Sequence, residues 1–172
     1  RRVLFRSRPA GERSATVDVL IPAYTSRPRS DRVFGSHLVT TEVPGLATAL
    51  RRTAVPVDVE MRRLNGDVLM SSLLVPDEVA ALVLKASATS VRTKGTDFVD
   101  IWRCLEVANA ASVRPEHFES DEEHLAAKRI RELFDIRTSL GMEAIVAEQR
   151  LSGEGAERRL TRIRALIERA LP

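Results

Sequence analysis

The chain has 172 residues, of which 44% are hydrophobic and 30% charged, a length and composition that suit one domain of ordinary size with a sufficient core. Its one cysteine, Cys104, excludes an intramolecular disulfide and a cysteine metal cluster, which is typical of a protein in the reducing cytoplasm. No apolar run approaches the roughly 20 residues of a membrane span, so we expect a cytoplasmic protein with no membrane partner.

Residues 1–7 account for the whole formal net charge of +3. They are one translation of AGACGTGTGCTCTTCCGATCT, the end of a short-read sequencing adapter, and we therefore expect an artefact joined to the true coding frame. Because the segment carries Arg1, Arg2 and Arg6, the remaining chain is formally neutral. Bulk charge therefore gives no argument for nucleic-acid binding. We also expect that the natural protein begins further upstream.

The first half of the chain has the pattern of a small sheet. Val17, Val19 and Ile21 alternate with Asp18, which is typical of a strand with one buried face. Asn65-Gly66 is a strong signal for a two-residue hairpin turn. The predicted elements are a strand over 16–22, a polar loop over 24–31, a strand over 37–43, a helical turn from Pro44-Gly45 to about Thr53, a half-buried strand over 55–61 and an antiparallel strand over 68–75.

The second half is predicted to be helical. Asp77 follows Pro76 and begins a helix, and Ser120 and Glu123 form a capping box. Further helices are predicted over about 96–111, from Ser120 to about Arg137, over 141–151 and over 155–171. The predicted class is α+β, a partial mixed sheet followed by helices. We expect residues 8–111 to form one region and residues 112–172 a helical C-terminal region.

Lysine is rare in this chain, since only three of the 27 basic residues are lysine. Lys85 is the only charge between Val79 and Val91, and Lys94 follows nine positions later. A compact ammonium suits phosphate, whereas arginine offers a planar fork. Lys85 is therefore a candidate for contacting phosphate or a carboxylate, although such a side chain can also extend from a buried helix to the surface.

Two aspartates follow these lysines. Asp97 and Asp100 lie three positions apart and so share a helix face. Asp97 also suits a helix N-terminus, where acids are favoured by the helix dipole, so capping is an open alternative to catalysis for this residue. Asp100 is better placed to pair with Lys85 or to point into a site.

The order of these residues resembles that of AbiEii-type nucleotidyltransferases, which are toxin components of bacterial toxin-antitoxin systems. The strand at 17–20, followed by Pro44-Gly45 and the run at 49–53, is also similar to members of that group, so the resemblance covers about residues 17–118. The positions that carry it are Pro76, Leu82, Lys85, Arg92, Lys94, Asp97 and Asp100, followed by a Leu/Trp-rich helix.

The resemblance implies a polymerase-β-like fold that transfers a nucleotidyl group from an NTP with Mg²⁺. Asp18 is then the third metal-binding carboxylate, Lys85 contacts the NTP phosphates and Asp100 orients Lys85. Arg92 and Lys94 are further candidates for binding the nucleotide. The resemblance also implies a cognate antitoxin as partner and leaves RNA as one possible acceptor.

The chain departs from the family pattern in several places. The family's Gly-Ser turn and Asp-x-Asp are not found at the matching positions, since Gly35-Ser36 is not followed by Asp-x-Asp at the family's spacing. We expect both motifs upstream of residue 8 and expect the 172-residue chain to be inactive without them. Gly95-Thr96 separates Lys94 from Asp97, where the family has adjacent residues.

Other interpretations compete with the enzyme. Asp58 and Glu60 could bind metal from one strand face but more often form a solvated face, and Cys104 is expected to be a small core residue. The alternative from a different functional class is a non-catalytic helical interaction or regulatory protein that derives from such a transferase.

Overall fold

The structure is a computed structural model that describes residues 3–4, 16–17, 19–23, 28, 32–34, 38–92, 94–134 and 140–172. Strands occupy the N-terminal half of this part of the chain, and helices follow toward the C-terminus. The predicted α+β class is therefore confirmed.

The N-terminal strands form small sheets. β1 (Val3–Leu4) pairs antiparallel with β2 (Thr16–Val17). β3 (Val19–Pro22), β4 (Arg32–Phe34) and β5 (Leu38–Val43) form a mixed sheet in the order β3-β5-β4, in which β3 is parallel to β5 and β4 is antiparallel to it. The sequence pattern did not predict β4. Asp18, between β2 and β3, lies outside the described residues, as do Gly35, Ser36 and most of the predicted loop at 24–31.

The turn after β5 places the sheet against the helices. Gly45 has a φ of 80°, which favours glycine, and precedes α1 (Leu46–Arg51). A Cβ at Gly45 would lie 3.1 Å from the carbonyl oxygen of Val83 and 3.0 Å from the Ser87 Oγ. The short helical turn predicted here is thus confirmed, and its glycine allows close approach to the following helix.

The predicted hairpin is also present. β6 (Val55–Arg62) pairs antiparallel with β7 (Val68–Val75), and Gly66 in the turn has a φ of 92°. The prediction that β6 is half-buried is wrong, because seven of its eight residues are exposed, including Val55, Val57 and Met61 of the apolar face. The alternation correctly indicated a strand, but the described residues place no second layer against it.

The helices agree closely with the sequence patterns. The Asp77 side chain accepts a hydrogen bond from the Ala80 N–H and caps the first of the long helices. The Glu123 carboxylate accepts from the Ser120 N–H, which confirms the predicted capping box. The helices and the short turn between them are α2 (Glu78–Ala88), α3 (Gly95–Ala110), a 3₁₀ turn (Pro115–His117), α4 (Asp121–Phe134), α5 (Leu140–Glu148) and α6 (Gly153–Ala170).

These long helices share one hydrophobic core. The predicted stripe of α3 is buried at Ile101 and Leu105, and that of α6 is buried at Ile163 and Leu166. α3 packs against both α5 and α6. Helices on both sides of residue 111 therefore contribute to this core. None of the helices in the described ranges combines the length and apolarity that a bilayer crossing requires.

Candidate functional site

The structure brings two of the predicted site residues together. The Lys85 Nζ donates a hydrogen bond to the Asp100 Oδ2 at 2.8 Å, across the contact between α2 and α3. Lys85 lies in the last turn of α2, and Asp100 lies in the second turn of α3. Both side chains are partly exposed. The predicted pairing of Asp100 with Lys85 is confirmed, while a role for either residue in catalysis stays a prediction.

A second cation lies close to the same carboxylate. The Arg103 guanidinium is 3.5 Å from the Asp100 Oδ1, so Asp100 sits between two positive charges. Cys104 is on the next position of α3 and packs against the core. Burial raises the pKa of the Cys104 thiol; the Lys85 charge opposes this shift and the Asp100 charge adds to it. The thiol is therefore protonated at neutral pH, as expected for a packing residue.

Arg92 and Asp97 form a separate pair. Both carboxylate oxygens of Asp97 accept from Arg92, at 3.1 and 3.2 Å. The Asp97 side chain is only 4% exposed, and it lies in the first turn of α3, where the helix dipole favours an acid. This geometry favours the structural alternative for Asp97. The pairing with Asp97 also engages the guanidinium of Arg92, which is a candidate for nucleotide binding.

Lys94 stands at the N-cap position of α3, with an exposed side chain. It makes no side-chain capping bond to the helix. The Nζ of Lys94 is in none of the ion pairs found among the described residues, which leaves the side chain available at the surface. Of the two candidate lysines, Lys85 is therefore held in place and Lys94 is not.

The predicted metal ligand cannot be placed in this site, because Asp18 lies outside the described residues. Within the described ranges, no three His, Cys, Asp or Glu side chains are grouped closely enough to hold a metal ion. Asp58 and Glu60 are exposed on β6, in agreement with a solvated strand face.

One ionic cluster was missed by the sequence reasoning. Arg52, at the end of α1, donates to Asp77 at 2.6 Å and to Glu123 at 3.1 Å. Burial by itself would raise the pKa of Glu123, but hydrogen bonds from the Ser120 and Glu119 N–H groups and from Arg52 outweigh burial and lower it. Arg52 thereby joins the starts of α2 and α4. The only sequence signal was the Arg51-Arg52 pair, which does not indicate its partners.

A cleft of about 560 Å³ lies elsewhere, between the turn before α1 and the helices α2 and α4. Its lining includes Gly45, Ser87, Lys128 and Arg129. Lys85, Arg92, Lys94 and Asp100 are not among its described lining residues. The cleft mixes cations with Glu122 and Glu132, so its charge favours no single class of ligand. The Lys85–Asp100 contact is therefore the better candidate for a functional site, since two predicted site residues meet there.

Comparisons with family models, curated proteins and solved structures found no match to this chain.

Proposed function

We propose that the intact parent of this chain transfers a nucleotidyl group from an NTP to an acceptor, as the AbiEii-type enzymes that it resembles do. The observation that supports the proposal is the 2.8 Å contact between Lys85 and Asp100. Both residues belong to the sequence motif that carries the resemblance, and they lie on different helices. A lysine held in this manner can present its ammonium to a phosphate group.

The contact leaves Lys85 able to bind phosphate. A lysine ammonium has three donors, and the Asp100 Oδ2 uses one of them. Arg103 also neutralises part of the Asp100 charge. Lys85 therefore keeps donors and positive charge for phosphate oxygens, while Asp100 limits the positions that its flexible side chain can reach.

The reaction itself exchanges one phosphorus–oxygen bond for another. The acceptor hydroxyl oxygen bonds to the α-phosphorus, the bond from that phosphorus to the bridging oxygen breaks, and pyrophosphate leaves while the hydroxyl proton passes to solvent. Negative charge develops on the leaving phosphates, and a fixed cation such as Lys85 stabilises it. Asp18 as a metal ligand and Arg92 and Lys94 as nucleotide contacts belong to the same proposal.

The test is an assay of the full-length gene product with radiolabelled NTPs, Mg²⁺ and cellular RNA. We expect transfer of label by the unchanged protein and its loss in the Asp18→Asn variant. Lys85→Met should lower kcat/KM by about 100-fold or more, the range typical for removal of one charge-stabilising group. Asp100→Asn should lower it less, because the lysine charge remains.

Lys128→Met is the matched control, because it removes the third lysine of the chain from an exposed position on α4. It should keep the activity of the unchanged protein. Equal activity in the Lys85→Met and Lys128→Met variants, or transfer that survives Asp18→Asn, would contradict the proposal. A cytoplasmic location, an RNA acceptor and a cognate antitoxin are further proposals from the same resemblance.

The second candidate is a non-catalytic interaction or regulatory protein. The observation that favours it is the exposed apolar surface of the β6–β7 hairpin, where Leu74 is 75% exposed and Met70 is 67% exposed. A protein of this class would transfer no label in the assay above with any NTP. Its interaction through that surface would be unaffected by substitution of Lys85 or Asp18.

A further inference from the structure

The β6–β7 hairpin has little support from the rest of the described chain. β6 and β7 hydrogen-bond to each other in a two-stranded sheet, and neither packs extensively on another described element. Large apolar side chains are exposed along both strands: Val55, Val57, Met61, Val68, Leu69, Met70, Leu73 and Leu74. An isolated two-stranded hairpin is at best marginally stable in water, and a third strand or a packed layer is needed to stabilise it.

The two edges of the hairpin differ in chemistry. β6 carries Pro56, which cannot donate to a neighbouring strand, and the charges of Asp58, Glu60 and Arg62. Proline and charge are the devices by which natural edge strands avoid further pairing. β7 reads Val-Leu-Met-Ser-Ser-Leu-Leu-Val, with no proline and no charge over its whole length. The free edge of β7 is therefore the one suited to accept another strand.

The sequence of β7 is complementary to itself. Ser71 and Ser72 are central, and three apolar residues flank them on each side. When two copies of β7 run antiparallel about a two-fold axis at Ser71, Leu69 lies opposite Leu73 and Val68 lies opposite Leu74. These two pairs are apolar, whereas Met70 lies opposite Ser72. The two members of each pair share a face of the sheet, as antiparallel pairing requires.

We infer that a second copy of this chain pairs with the free edge of β7 and that the protein forms a two-fold symmetric dimer. The result is a four-stranded antiparallel sheet in the order β6-β7-β7-β6. The outer edges of this sheet are the two β6 strands, which carry the proline and the charges. Assembly therefore closes at two chains. This inference is independent of the proposed catalytic function.

The test is sedimentation equilibrium of the 172-residue chain at concentrations up to about 100 μM, a range that detects micromolar affinity. We expect a monomer–dimer equilibrium for the unchanged chain. Ser71→Lys places a like charge opposite its own copy at the two-fold axis. It should raise the dimer dissociation constant by about 100-fold or more, since like-charge juxtaposition at an interface is strongly unfavourable.

Leu64→Lys is the matched control, because it adds the same charge to the hairpin turn at a fully exposed residue outside β7. This variant should dimerise like the unchanged chain. Far-UV circular dichroism of each variant checks that the separate helical core remains folded. In hydrogen exchange, the β7 amides of the unchanged chain should be protected. The Ser71→Lys substitution should abolish this protection.

Two results would overturn the inference. One is an unchanged chain that stays monomeric over the whole concentration range. The other is a dimer whose dissociation constant is the same for Ser71→Lys and Leu64→Lys, because the contact would then lie away from the β7 edge.

Discussion

At the scale of single residues, the burial of each charge decides how much its ion pair contributes to the stability of the fold. Arg52 and Glu123 are mostly buried, with side chains 21% and 4% exposed, whereas the neighbouring Arg51 is 60% exposed and lies 3.5 Å from Glu122. Removing one member of a buried pair leaves the other charge without compensation, while exposed pairs contribute little. Adjacent arginines of the same helix end therefore have different roles.

Arg52→Ala is expected to lower the free energy of unfolding by about 3 kcal/mol, because Glu123 remains buried without its cation. Arg51→Ala should lower it by less than about 1 kcal/mol. Urea denaturation of the two variants measures both values. Equal losses would show that Arg52 does not hold the starts of α2 and α4 together.

The lowered pKa of Glu123 gives a pH dependence with a definite sign. A carboxyl whose pKa is lower in the folded state stabilises the fold above the ordinary glutamate value of about 4.3, and this contribution is lost as the pH falls through the lowered pKa. The stability difference between the unchanged chain and Glu123→Gln should thus be largest near neutral pH. Urea midpoints from pH 7 down to acid should converge, and a constant difference would contradict the assignment.

At the scale of elements, two glycines at helix starts differ in whether there is space for a larger side chain. Gly141 lies in the first turn of α5, and a Cβ there would be 2.7 Å from the Leu133 carbonyl oxygen and 2.6 Å from the Phe134 ring. Gly155 lies in the first turn of α6, where an added Cβ meets open space. The end of α4 and the start of α5 thus approach each other in a way that requires glycine.

Gly141→Ala is expected to destabilise the fold by about 1–3 kcal/mol, because backbone must move to accept the methyl group. Gly155→Ala should instead stabilise it by about 0.5–1 kcal/mol, since alanine is the better helix former and nothing obstructs it. Thermal unfolding of the two variants should shift the melting temperature in opposite directions. Shifts of the same sign would rule out the close contact at Gly141.

At the scale of the whole molecule, α2–α6 share one core and should unfold as one unit. Trp102 on α3 reports on this core, because the Arg159 guanidinium of α6 stacks 4.1 Å from its ring centroid and Glu106 accepts from its indole N–H. α3 and α6 are joined further by Arg162 and Glu106 at 2.7 Å. The fluorescence of the one tryptophan therefore depends on the packing of α3 against α6.

Trp102 fluorescence and far-UV circular dichroism should follow the same urea transition, as expected for a cooperative core. A fluorescence transition at lower urea than the loss of helix would contradict this, because α6 would then separate from α3 before the other helices unfold.

Much of the fold could be predicted because its signals are local. The capping box at Ser120 and Glu123, the hairpin at Asn65-Gly66 and the helix start at Asp77 each depend on a few consecutive residues, and the structure contains all three. The pairing of Lys85 with Asp100 was also predictable, since the two residues are 15 positions apart on consecutive helices. Lys85 is also the only charge between Val79 and Val91.

The sequence by itself therefore determined the order of the long helices, the β6–β7 hairpin, the apolar stripes of α3 and α6, and one ion pair between neighbouring helices. Only the tertiary structure decided that Arg52 pairs with Glu123, 71 positions away. Only the tertiary structure left both faces of the β6–β7 hairpin exposed. The physical reason is that hydrophobic periodicity and helix capping depend on residues that are close together in the sequence. The partner of a charge, or the layer that covers a strand, is chosen among many distant candidates by the packing of the whole chain.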